Sequence, residues 1–271
     1  MGKRFDGKVV WITGGGSGIG RALALELARQ GADVAVSGRR QERIDEVARE
    51  ICALGRRGIA VPCDVTDEDD IAQAVARVVN ELGALDVAVA NAGFSISGRI
   101  ADITADQWRR QLDVNVVGSA LTAKHALPHL EKTKGRIVLI GSIAAFLGLP
   151  KSGAYAASKW AVRALGQTLN IELAGSGVSC TTIHPGFVES EIAQVDNEGV
   201  YNGKRRDRRP QKFMWTADAA ARTMASAIHR RKREHVFTNH GKLGAFMGQH
   251  FPGMALMTIG RSTRRPKALK P

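Results

Sequence analysis

The feature that most limits how this chain can fold is an alternation that begins at Lys8. The stretch KVVWITGGGSGIGRALALELARQGADVAVSGR reads as a short apolar strand, a glycine turn, an apolar-striped helix, a glycine stop and a second apolar strand. The pattern then recurs. A helix from about Gln41 to Leu54 leads to the strand GIAVPCDV, and a helix from about Glu68 to Leu82 leads to LDVAVANAG. Further on come a helix around 104 to 130, the strand GRIVLIGS, a long helix from about 153 to 174 and the strand VSCTTIHPG. Strands that are apolar along nearly their whole length belong to parallel sheets covered by helices on both faces. The sequence therefore predicts an α/β fold, a doubly wound parallel sheet in a single domain. With 271 residues, 44% of them apolar, the chain can fill such a core.

The segment from Phe187 to Trp215 breaks the rhythm. It is polar, rich in glycine and charge, and too long for an ordinary connection, which suggests a lid. We place the main domain at 1–228, with the lid at 187–215, and a basic, partly apolar C-terminal extension at 229–271. The net charge of +13 is concentrated there: residues 204–212 hold six Lys/Arg against Asp207, and residues 230–271 hold ten against Glu234. Basicity thus describes what two segments touch rather than the fold.

Composition narrows the function classes. No apolar run reaches the roughly 18 residues of a membrane span, and the N-terminus has no signal-peptide pattern. Cys52, Cys63 and Cys180 show no CxxC spacing and read as small apolar residues in a reducing, cytoplasmic setting. His125 and His129 have metal-like spacing but lack a third ligand, so no metal is expected. With few aromatics and no reading motif, specific nucleic-acid binding has little support.

Two places carry chemistry. In TGGGSGIG, Gly14, Gly18 and Gly20 lie between strand and helix, where bare backbone and unpaired N–H groups suit a pyrophosphate. At the end of the next strand, a site for NAD would use an acidic residue to hold the ribose. The chain has Gly38, Arg39 and Arg40 instead, and a guanidinium pairs with the 2′-phosphate of NADP. In SGAYAASKW, Tyr155 and Lys159 are four residues apart on one helical face. Alone, that pair reads first as a surface tyrosine beside a solvated lysine. His184 with Ser142 could suggest acyl transfer, but no G-x-S-x-G elbow surrounds the serine.

Taken together, TGGGSGIG, CDV, NAG, DVNVVG, IGSIA, YAASK and HPGFVESE resemble the short-chain dehydrogenase/reductase family, in register from about residue 6 to 190. The resemblance implies a Rossmann fold and a catalytic set of Asn115, Ser142, Tyr155 and Lys159. It also implies a nucleotide site of Gly14, Ser17, Gly18, Ile19, Gly20, Arg39, Arg40, Asp64, Val65, Asn91, Ala92, Gly93, Tyr155, Lys159, Pro185, Gly186, Val188 and Ser190. Ser190 stands where the family commonly has threonine. Asn115 would hold a proton-relaying water, its other reading being a helix break that binds backbone. The family's usual assembly, through the helix bearing Tyr155 and the one before its strand, implies a homodimer or homotetramer.

The expected reaction interconverts a ketone and a secondary alcohol with NADP(H), Tyr155 acting as general acid/base and Ser142 polarising the carbonyl. Lys159, at about 4 Å, is expected to lower the tyrosine pKa. A cofactor-binding regulator or scaffold without turnover is the rival reading. Apolar residues after the serine (Ala144, Phe146, Leu147, Leu149, with Ser152), after NAG (Phe94, Ile96) and in the lid (Phe187, Ile192) suggest a hydrophobic, lipid-like or steroid-like substrate. The tail alternates basic clusters with Leu, Phe and Met, which is compatible with peripheral contact to an anionic membrane, or with packing on its own fold or on a second copy.

Overall fold

A computed structural model describes residues 3–207 and 209–263. Seven parallel strands form one sheet: β1 (Val9–Thr13), β2 (Asp33–Gly38), β3 (Gly58–Pro62), β4 (Val87–Ala90), β5 (Arg136–Ile140), β6 (Ser179–His184) and β7 (Glu234–Val236). Their order is β3-β2-β1-β4-β5-β6-β7. The helices are α1 (Gly18–Arg29), α2 (Gln41–Ala53), α3 (Glu68–Leu82), α4 (Ala105–Leu112), α5 (Gly118–Thr133), α6 (Gly153–Glu172), α7 (Ala217–His229), α8 (Asn239–His250) and α9 (Pro252–Thr263).

The pleat of β1 shows how the two faces are built. Val10 and Ile12 point into a core shared with Leu23 and Leu27 of α1, Ile44 and Ile51 of α2, and Met224 and Ile228 of α7. Val9 and Trp11 point the other way, toward Ile71 and Val78 of α3, Leu130 of α5, and Val162 and Leu169 of α6. Both faces of the strand are therefore dry, as the continuous apolar runs predicted. The one polar atom that Trp11 carries inward donates to Ser37 Oγ at 2.8 Å.

The strand order reverses between β1 and β4, and the loops at their C-terminal ends diverge to leave a crevice. The helix expected around 104–130 is interrupted. Thr104 and Gln107 form a reciprocal cap that starts α4, then the backbone widens into a π-helical turn over Asp113–Val117 before α5 begins. The sheet also runs past residue 228. β7 pairs with β6 through Thr182–Glu234, Ile183–His235 and His184–Val236, and α8 follows it. The end of the basic tail, 264–271, lies outside the described residues. Among the described residues no helix is long and apolar enough to cross a membrane.

Candidate active site

The crevice holds a cavity of about 770 Å³, within the usual range for small-molecule sites. One end is the glycine turn. Gly14 and Gly18 adopt φ of +64° and +52°, conformations that disfavour side chains, and a Cβ on Gly14 would lie 2.8 Å from Ala92 Cα. Asn91, at the end of β4, donates to the carbonyls of Thr13 and Gly14 at 2.9 and 3.0 Å, which fixes the turn against the sheet. The Ser17 side chain does not cap α1, so the first-turn N–H groups of that helix keep no side-chain partner. This is a bare cradle with positive dipole charge.

Every nucleotide-site residue expected from sequence lines this cavity: the glycine turn with Ser17 and Ile19, Arg39 and Arg40, Asp64 and Val65, Asn91 to Gly93, and Pro185, Gly186, Val188 and Ser190. The two arginines are also engaged by protein. Arg40 donates to Ser17 Oγ at 3.1 Å and to Glu191 at 2.6 Å, and its guanidinium lies 5.4 Å from the centroid of the Tyr201 ring. Arg39, more exposed, sits 4.0 Å from Asp64.

At the other end, Tyr155 and Lys159 lie one turn apart on α6, and Ser142 follows β5. Tyr155 and Ser142 both line this end of the cavity, the serine hydroxyl near enough to the phenol to favour its charged form. Lys159 is buried, donates to the Ile140 carbonyl at 2.8 Å and places its ammonium 5.8 Å from the Tyr155 ring centroid. The expected lowering of the tyrosine pKa is corrected here. Burial dominates and raises Tyr155 above its ordinary 10, with the neighbouring Ser142 hydroxyl and the Arg209 charge opposing it. Burial also pulls Lys159 from 10.5 down to about 8. The ammonium is tethered to a strand carbonyl on the side of the tyrosine ring.

Asn115 alone of the expected catalytic four does not line the cavity. It is wholly buried in the π-helical turn, accepts from Phe94 N at 3.1 Å, and donates to Phe94 O at 3.1 Å and Ser158 Oγ at 3.0 Å. Ser158 in turn donates to the Tyr155 carbonyl at 2.7 Å. Asn115 thus binds backbone and braces the helix that carries the tyrosine.

A support that the sequence did not disclose lies behind Ser142. The buried ring of His184 lies between two acceptors, with Nδ1 3.1 Å from the Ser142 carbonyl oxygen and Nε2 3.0 Å from the Glu234 carboxylate. A Cβ on Gly141 would collide with that ring, so the glycine permits the approach. Arg163 of α6 donates to the same carboxylate at 2.7 Å and lies 4.0 Å from the centroid of the Phe146 ring. Glu234 is held at about 2 against its ordinary 4.5, chiefly by the His184 hydrogen bond, with Arg163 adding and burial opposing. Because the folded pKa is depressed, this group stabilises the fold fully above pH 4.5, and that contribution is lost as the pH falls toward 2. Thermal melts between pH 6 and about 2 should therefore fall less steeply for Glu234→Gln than for the wild type; parallel curves would contradict the assignment.

The lid is tied at its base, where Trp215 N donates to Phe187 O at 3.0 Å and Glu189 N to Trp215 O at 2.9 Å. It then crosses the crevice. Glu191 meets Arg40 on the nucleotide side, and Glu198 meets Arg110 of α4 at 2.6 Å on the other. Of the apolar residues expected around a substrate, Phe94 and Ile192 line the cavity, joined by Val114 and Val195, which sequence reading missed. Phe146 and Ala144 do not line it; Phe146 is buried against Ala145, Ala245 and His184, while Ile96 packs with Phe94 in a small core. Lid contacts such as Tyr201, Glu198 and Arg209 follow from how a long loop folds back, and no local pattern announces that.

Comparison with known proteins agrees with this geometry. A family model described as short chain dehydrogenase matches residues 8–200. An uncharacterized oxidoreductase of Staphylococcus aureus (strain MRSA252) is 37% identical over 191 residues, 70% of this chain and 82% of the relative. A short chain dehydrogenase/reductase from Burkholderia phymatum, solved in complex with NAD, superposes with a TM-score of 0.81 at 26% identity, covering 98% of this chain and 99% of that one. An alcohol dehydrogenase from the archaeon Thermococcus sibiricus, complexed with 5-hydroxy-NADP, gives a TM-score of 0.75 at 27% identity, covering 85% and 96%.

Proposed function

The chain belongs to the short-chain dehydrogenase family, and from that premise we propose that it is an NADP(H)-dependent oxidoreductase interconverting a ketone and a secondary alcohol. The observation that carries the reading is one cavity with a phosphate cradle at one end and a tyrosine–serine pair at the other. The glycine turn, Asn91 and the α1 N-terminus fit a pyrophosphate, and Arg39 and Arg40 fit a 2′-phosphate. Bound there, the dinucleotide supplies or accepts hydride.

The protein's own groups handle the proton and the charge. Tyr155, neutral at physiological pH and pushed further that way by burial, delivers its proton to the substrate oxygen during reduction. Ser142 donates to the same oxygen and stabilises the negative charge that develops there. The buried Lys159 orients the ribose side of the cleft and keeps a cation beneath the tyrosine. Asn115 is a positioning residue. Val114, Ile192, Val195 and Phe94 make the substrate end apolar, which suits a hydrophobic, lipid-like or steroid-like molecule. A regulator that only bound nucleotide would have no use for Ser142, Tyr155 and Lys159 in one place.

Assembly as a homodimer or homotetramer in the cytoplasm completes the proposal. Trp160 and Ile171 of α6 are exposed large apolar residues of the kind such an interface covers.

A panel of ketones and alcohols followed at the NADPH absorbance band tests the reaction class. Titration calorimetry tests the nucleotide: NADPH should bind more tightly than NADH, and Arg39→Ala should weaken NADPH about tenfold while leaving NADH unchanged. Equal affinities in the wild type would remove the 2′-phosphate assignment.

A further inference from the structure

We propose that the α8–α9 hairpin is a docking surface for an anionic lipid bilayer. The two helices bring Leu243, Phe246, Phe251, Met254, Leu256 and Met257 to the surface, each between 46% and 63% exposed. α9 buries Ala255 and leaves apolar side chains around it in solvent. Singly exposed apolar residues are ordinary on a protein surface, but six within fifteen residues make a patch that calls for a cover.

Charge identifies the cover. From residue 235 to the end the sequence contains Lys242, Arg261, Arg264, Arg265, Lys267 and Lys270 and no acidic residue; the last four cations lie outside the described residues. A two-fold interface sets a patch against its own copy. Here it would oppose cations to cations with no carboxylate in the segment to neutralise them. An anionic lipid surface meets both the apolar side chains and the single-sign charge, as at amphipathic membrane-surface helices.

The hairpin's place in the fold gives the contact a direction. Gly241, Ala245 and Gly248 form the buried face of α8. The absent side chains of Gly244 and Gly248 let that helix lie against Ile143, Phe146 and Leu147, the segment that follows Ser142. His240, in the first turn of α8, stacks on Phe187 at the base of the lid with ring centroids 5.1 Å apart. Docking would therefore hold the bilayer on the side of the molecule where the loop after Ser142 and the base of the lid meet the hairpin.

The test uses the full chain in vesicle sedimentation, which is independent of turnover. Wild type should pellet with phosphatidylcholine vesicles containing about 30% phosphatidylglycerol at least tenfold more strongly than with phosphatidylcholine alone, and added salt should weaken this. The variant Phe246→Glu with Met257→Glu should remain in the supernatant with its thermal melt and NADPH affinity intact, since both side chains are exposed. Wild type left in the supernatant with anionic vesicles, or variant and wild type pelleting alike, overturns the proposal. So does a vesicle-free change from dimer to monomer in the variant by sedimentation velocity, which would make the face a contact between copies.

Discussion

Replacing Tyr155 with phenylalanine is expected to lower kcat by about 10²–10⁴-fold while leaving NADPH affinity and the melting temperature unchanged. The substitution keeps the ring, which lines the cleft beside Ser142, and removes only the phenolic oxygen. A loss of 10³ corresponds to about 4 kcal/mol of transition-state stabilisation. The raised pKa of Tyr155 adds a directional signature. In reduction the phenol is already in its working, protonated state at neutral pH. In oxidation it must first lose that proton, so the wild-type rate should climb as the pH rises above neutrality. The phenylalanine protein should show no such climb. Full activity in that variant would end the proposed chemistry.

Gly20→Ala is expected to abolish measurable nucleotide binding and to lower the melting temperature. A Cβ at this position would strike the Gly14 carbonyl and the Asn91 amide. Neither can move freely: Gly14 is held at positive φ, and the Asn91 amide is spent on two carbonyls. Overpacking of this sort costs about 1–3 kcal/mol or more and shifts the backbone that would cradle the phosphates. Gly55→Ala is the matched control. That residue also has positive φ, +76°, but nothing lies within 4 Å of its missing Cβ. It should lose some stability through backbone strain and bind nucleotide normally. Calorimetric titration of both variants decides the matter: wild-type affinity in Gly20→Ala would mean the turn is not the phosphate cradle.

Much of the fold was legible because its signals are local. An apolar run bounded by glycine, followed by a 3.6-residue stripe, marks a strand and a helix without knowledge of anything distant, and Val9–Thr13 followed by Gly18–Arg29 is such a case. The interrupted helix was not legible. The π-helical turn at 113–117 exists because Asn115 spends its amide on Phe94, some twenty residues earlier, and on Ser158 in a later helix. Likewise β7 is a three-residue edge strand in a stretch that reads as basic tail. Only pairing with β6 makes it a strand, and only that pairing carries Glu234 to His184.

The candidate site divides in the same way. Residue types and spacings along the chain picked out the glycine turn, the arginines after β2 and the tyrosine–lysine pair as candidates, and the family resemblance added the serine. Which way those groups bias one another was decided by depth and tethering. The Ile140 carbonyl tethers the lysine, and low-dielectric surroundings turn the tyrosine toward its neutral form. Burial and the approach of distant segments are properties of the packed chain, and a reading of neighbours in sequence has no access to either.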